Sequence, residues 1–174
     1  YKLILNNLAV WHFLFTDEKL YVVSDKGLHV IDTHEKSGEF LFSVSDYLEN
    51  NSDDQFISIE QDNSGVFLLV SGFKGVYLWD PSRELIKNYH YQKRNDNSLS
   101  NNNVWAIQQN TRNEHQFWVG TSNGLNLIDY KQNYSQRHSL DSNTDSQFSY
   151  TDINKIYNYN EELLVLTPNG VIFY

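Results

Sequence analysis

Two tryptophans, Trp11 and Trp105, each stand one residue into a short apolar run that follows a polar stretch. A flat indole beside amide-rich loops suits a sugar ring, whose apolar face stacks while amides bond its hydroxyls. Asn102, Asn103, Tyr150 and Asp152 are the nearest polar or aromatic companions in those polar stretches. These six residues form the candidate ligand-binding set. The competing reading is that both indoles are core.

Other chemistry is less well supported. Gly120-Thr121-Ser122-Asn123-Gly124 has the glycines of a phosphate-cradling loop but lacks the lysine and the strand-to-helix context, and Gly72-Phe73-Lys74-Gly75 fails in the same way. Both read as tight hairpin turns that need positive φ. Glu60-Gln61-Asp62-Asn63-Ser64-Gly65 imitates the start of a calcium loop, yet residue 71, at the twelfth position, is Ser. Asp62 and Asn63 are expected to bond their own turn instead. His12, His29, His34, His90, His115 and His138 show no metal spacing, and no GxSxG run occurs. Asp53-Asp54 and Glu161-Glu162 are neighbours in polar loops, and on a strand adjacent residues would face opposite ways. No catalytic set, metal site or cofactor motif can be assembled, so a non-enzymatic role is expected.

The elements that must carry these residues repeat. Leu20–Asp32, Leu68–Asp80, Phe117–Asp129 and Leu163–Tyr174 are four versions of one hairpin. Their turn glycines, Gly27, Gly75, Gly124 and Gly170, follow a period of about 48 residues, within the range of propeller blades. Apolar runs are short and rich in Val, Ile, Leu, Phe and Tyr, with no sustained helical spacing. The fold class is therefore all-β: β-propeller blades of four antiparallel strands. Blades are expected at about 8–45, 55–91, 103–140 and 151–174, with Tyr1–Leu5 as the outer strand of a preceding or closing blade. The chain starts without Met and stops inside a strand pattern, so a partial propeller of about four blades is expected. A closed four-blade ring completed by Tyr1–Leu5 is the alternative.

The 13 basic and 22 acidic residues of the 174 give a net charge of −9, which disfavours nucleic acid and anionic membrane as partners. Four Trp, 12 Tyr and 10 Phe supply bulk between blades, and the lack of Cys is compatible with an oxidising compartment. No run approaches the roughly 20 apolar residues of a membrane helix, and no signal peptide is present.

The third repeat carries a specific pattern: Ser98-Leu99-Ser100, Asn103-Val104, Phe117-Trp118-Val119-Gly120-Thr121, Gly124-Leu125-Asn126 and Asp129. It resembles the regulator propeller repeat of two-component sensors. The second repeat keeps Asp62-Asn63-Ser64-Gly65 and Asp80 but has Ser71-Gly72 where Gly-Thr is typical, and the first and fourth keep only the hairpin skeleton. The resemblance implies the periplasmic sensor part of an inner-membrane hybrid histidine kinase or diguanylate cyclase. It further implies a homodimeric intact receptor and a small-molecule or oligosaccharide signal, with no direct membrane contact by this segment. A protein-binding scaffold built of blades is the alternative function.

Overall fold

The computed structural model describes residues 5–16, 18–43, 46, 54–138 and 152–174. Fifteen strands form four antiparallel meanders among these residues. The first holds β1 (Val10–Phe15), β2 (Lys19–Ser24), β3 (Gly27–Asp32) and β4 (Ser37–Phe42). The second holds β5 (Phe56–Gln61), β6 (Phe67–Ser71), β7 (Val76–Asp80) and β8 (Leu85–Tyr89). The third holds β9 (Val104–Gln109), β10 (Gln116–Thr121), β11 (Gly124–Asp129) and β12 (Tyr134–His138). The fourth holds β13 (Lys155–Tyr159), β14 (Glu162–Thr167) and β15 (Gly170–Phe173). Each sheet is one propeller blade. Of the expected Tyr1–Leu5 strand, all but Leu5 lies outside the described residues.

Three apolar clusters fill three seams between successive blades. Tyr21, Val23, Leu28 and Phe42 pack on Phe56, Ile59, Phe67 and Tyr77 between the first and second blades. Leu68, Val70, Val76 and Leu78 meet Val104, Phe117, Val119 and Ile128 in the next seam. Trp118, Leu125 and Leu127 meet Ile153, Ile156, Leu163 and Val165 in the last. The innermost strands pack in series, β1 on β5, β5 on β9 and β9 on β13, and no comparable contact returns from β13 to β1 among the described residues. The four blades are thus an open arc.

The two ends of the arc carry faces that an interior blade would bury. Phe13 pairs with Val22 as Ile59 pairs with Leu69 and Ile156 with Val165. Ile59 and Ile156 are almost fully buried, whereas Phe13 is 58% exposed. Phe15 and Phe40 are exposed beside it, and Tyr157, Tyr159, Val171 and Phe173 are exposed on the last blade.

The motif of the third blade is one hydrogen-bonded cluster. The Asn126 carboxamide accepts from the Ser100 N–H at 2.9 Å, and its NH2 donates to Ser100 Oγ, also at 2.9 Å. Ser100 Oγ lies 2.8 Å from Thr121 Oγ1, which donates to the Gly124 carbonyl. All three residues are buried. They fasten the incoming crossover, with Leu99 inserted in the core, to the hairpin. The aspartates that close the hairpins hold the next turn. Asp32 accepts from the His34 and Glu35 N–H groups, Asp80 from Ser82, and Asp129 from Gln132. Four residues beyond each, Lys36, Glu84 and Asn133 take positive φ. Asn126→Ala is expected to destabilise the fold by about 1–3 kcal/mol, because the buried Ser100 N–H loses its acceptor and the Ser100 hydroxyl a donor. Urea unfolding of the variant checks this.

Candidate functional site

The innermost strands of the first three blades enter from their crossovers, and each carries a β-bulge near that end. Pairing skips from Val10 to His12, from Phe56 to Ser58, and on the third blade from Val104 to Ala106. The skipped residues are Trp11, Ile57 and Trp105. A bulge leaves one residue unpaired and re-aims its side chain. Trp11 is accordingly 53% exposed and Trp105 54% exposed, so neither indole is core.

Both indoles are tethered by the edge. Trp105 Nε1 donates to Ser122 Oγ at 2.8 Å, and Trp11 Nε1 donates to Gln55 Oε1 at 3.2 Å. An indole tied by its N–H keeps its rings available for stacking. The crossover end around them is closed by a recurring bond: Asp25 N–H to the Ala9 carbonyl, Gly72 N–H to Gln55, and Ser122 N–H to Asn103. The fourth blade has Pro168 where the third has Ser122, and proline has no N–H to give.

The other expected residues divide. Asn103 is exposed next to Trp105, and its carbonyl holds Ser122. Asp152 is exposed, and the Ile153 N–H that follows it donates to the Thr121 carbonyl, which brings Asp152 to the Trp105 end of the third blade. Asn102 is partly exposed but committed: its Oδ1 accepts from the Tyr91 N–H at 2.6 Å and its carbonyl from Gly75. Trp11 stands apart, beside the first seam. Tyr150 lies outside the described residues. Trp105, Asn103 and Asp152 are therefore the part of the candidate set that the fold gathers, and Ser122, not among the six, holds the indole in place.

The expected calcium imitation resolves into turn chemistry. Asp62 Oδ1 accepts from Ser64 N–H, Ser64 Oγ and Val66 N–H, and Oδ2 accepts from the Tyr130 hydroxyl of the next blade. Burial and that Asp62 bond push the Tyr130 phenol up. Trp118 and Tyr21 are core, as their hairpin column requires. Leu68 shares that column, since each stands three residues before Thr121, Ser24 or Ser71. The loop Gly72–Lys74 is one residue longer than the other hairpin turns.

Two titratable groups on the innermost strands were not singled out from sequence. His12 Nδ1 accepts from the Ile59 N–H at 3.2 Å, which leaves Nε2 carrying the proton. Burial, and then the Lys155 charge, pull its pKa down. Glu60 faces Gln108 Nε2 at 3.4 Å. Burial raises its pKa to about 7, and the Gln109 N–H offsets only part of this. The signal was a carboxylate directly after Phe56-Ile57-Ser58-Ile59, in an otherwise apolar-alternating run.

No protein-family model and no curated protein matches the chain. Among solved structures, the extracellular domain of a proposed hybrid two-component system of B. thetaiotaomicron aligns with 98% of this chain at 15% identity and a TM-score of 0.71. The chain spans 25% of that protein's length. The computationally designed protein Ika4 aligns with 99% of the chain and 94% of its own, at 10% identity and a TM-score of 0.66. Apo AztD from Citrobacter koseri aligns with 92% of the chain and 42% of its own, at 14% identity and a TM-score of 0.61. At such identities the likeness is one of fold.

Glu60 makes stability depend on pH. The unfolded carboxyl gives up its proton near its ordinary 4.5 and the folded one near 7, so the native state binds more protons between these values. Stability attributable to Glu60 therefore falls as pH rises through that window. Glu60→Gln is expected to raise the thermal midpoint at pH 8 by roughly 2–4 °C, the shift that about 1 kcal/mol gives at this size. At pH 4 the change should vanish. A pH series of melts on both proteins checks it.

Proposed function

We propose that this chain is a non-enzymatic, ligand-binding segment of an extracytoplasmic sensor propeller. The signal is a small molecule of the oligosaccharide type, bound on the crossover end of the third blade. The observation that carries this reading is the tethered, half-exposed Trp105 on its bulge, with Ser122, Asn103 and Asp152 beside it. The indole face takes the apolar side of a sugar ring, and the amide and carboxylate take its hydroxyls. Trp11, with Gln55, offers a second stacking surface at the first seam. Asn102 belongs to the wider rim of the same site, where it holds the loop in shape, and Tyr150 is kept as a proposed ligand-binding residue.

Likeness of fold to an extracellular domain of a two-component-type protein supports an extracytoplasmic place and a signalling role. Among the described residues no helix is long and apolar enough to cross a membrane. We place the segment in the periplasmic part of an inner-membrane, homodimeric receptor, with blades at about 8–45, 55–91, 103–140 and 151–174. Ligand acts by binding one arrangement of the receptor better than another.

A second reading, a protein-binding scaffold, is favoured by the apolar end faces at Phe13, Phe15 and Phe40 and at Tyr157, Tyr159 and Phe173. Thermal-shift screening against oligosaccharides separates the two. A ligand at a hundred times its dissociation constant adds about 2.7 kcal/mol of stability. Trp105→Ala should abolish that shift while leaving the unliganded midpoint nearly unchanged. A blank screen, or an unchanged shift in the variant, would count against the Trp105 site.

A further inference from the structure

A cavity of about 240 Å³ opens at the outer edge of the second seam, away from Trp105. It lies between β8, the polar crossover after it and the turn before β12, and its lining includes Lys87, Tyr89, His90, Asn97 and Asn133. Tyr89 is only 7% exposed, and its hydroxyl has no hydrogen-bond partner among the described residues. The same holds for His90 Nδ1 in the lining, and behind it the hydroxyl of Ser135, whose N–H donates to the Asn97 carbonyl, is also unpartnered. Buried polar atoms are nearly always bonded, so orphans gathered round one cavity point to a partner that enters it.

The chemistry of the lining narrows that partner. Lys87 is half-buried, its ammonium lies 4.7 Å from the centre of the Tyr89 ring, and it forms no ion pair among the described residues. No carboxylate lines the cavity. A single anionic group would match its charge. The side-chain amides of Asn97 and Asn133 are without partners among the described residues, and amide, phenol and imidazole groups suit hydroxyls, which both donate and accept. Burial and the Asp129 charge push the Tyr89 phenol up to about 12, so it stays protonated and able to donate.

We propose that this cavity binds a small polyhydroxylated monocarboxylate, a sugar acid, with its carboxylate on Lys87 and its hydroxyls on the Asn97 and Asn133 amides and the Tyr89 phenol. The proposal is independent of the Trp105 site. Titration calorimetry with D-glucuronate tests it, with glucose and acetate as comparators. Glucuronate should bind saturably and more tightly than either comparator. Lys87→Gln should weaken it by about tenfold or more, and Trp105→Ala should leave it unchanged. Asn133→Gly keeps the turn at its φ of 62° and removes only the amide, so it should weaken binding even if Lys87→Gln fails to fold. No binding of glucuronate would overturn the proposal, as water alone would then occupy the cavity. So would equal binding of glucose or acetate, or glucuronate affinity untouched in the folded variants.

Discussion

One buried hydroxyl per blade sets the register on which everything else rests. Ser24 and Thr121 donate to the carbonyl of the glycine three residues on, and Thr167 repeats the bond. The same oxygens accept from the Lys26, Asn123 and Asn169 N–H groups. In the longer second turn, Ser71 accepts from Lys74 and donates to Asp54. A slip of one residue here would turn every side chain of the hairpin to the wrong face. The seams exist because four clasps prevent that slip.

This explains how much could be read from the chain. The period, the hairpins and the closing aspartates follow local rules of turn chemistry and alternation, and they stand where the residue types require. The joint role of Ser100, Thr121 and Asn126 did not follow, because residues 26 apart meet only once the crossover folds over the hairpin. Glu60 was legible as a carboxylate in an apolar strand, but not as a buried one. Its burial comes from a neighbouring blade, and the strand that carries it looks like its counterparts around Leu14 and Gln108.

The tryptophans show the opposite case. Their position one residue into an apolar run fits a core strand, and pattern alone favours burial. The bulge decides it: the unpaired residue leaves the ladder, and the indole is turned out and held by its N–H. The irregularity therefore converts a structural position into a presentable surface, as bulges beside functional sites generally do. The polar crossovers provide the neighbours, and the long Asn-rich one before β9 provides most of them.

Four blades joined by three seams behave energetically as a one-dimensional array, each unit coupled only to its neighbours. Interior blades are held from both sides and terminal blades from one. Opening should therefore start at the ends and run inward, so amide exchange would be graded along the chain rather than uniform. The third blade, whose motif is the most complete, is held from both sides and also bears Trp105. Its neighbour has Pro168 in the strap, so the bond that closes the other three crossover ends is missing there.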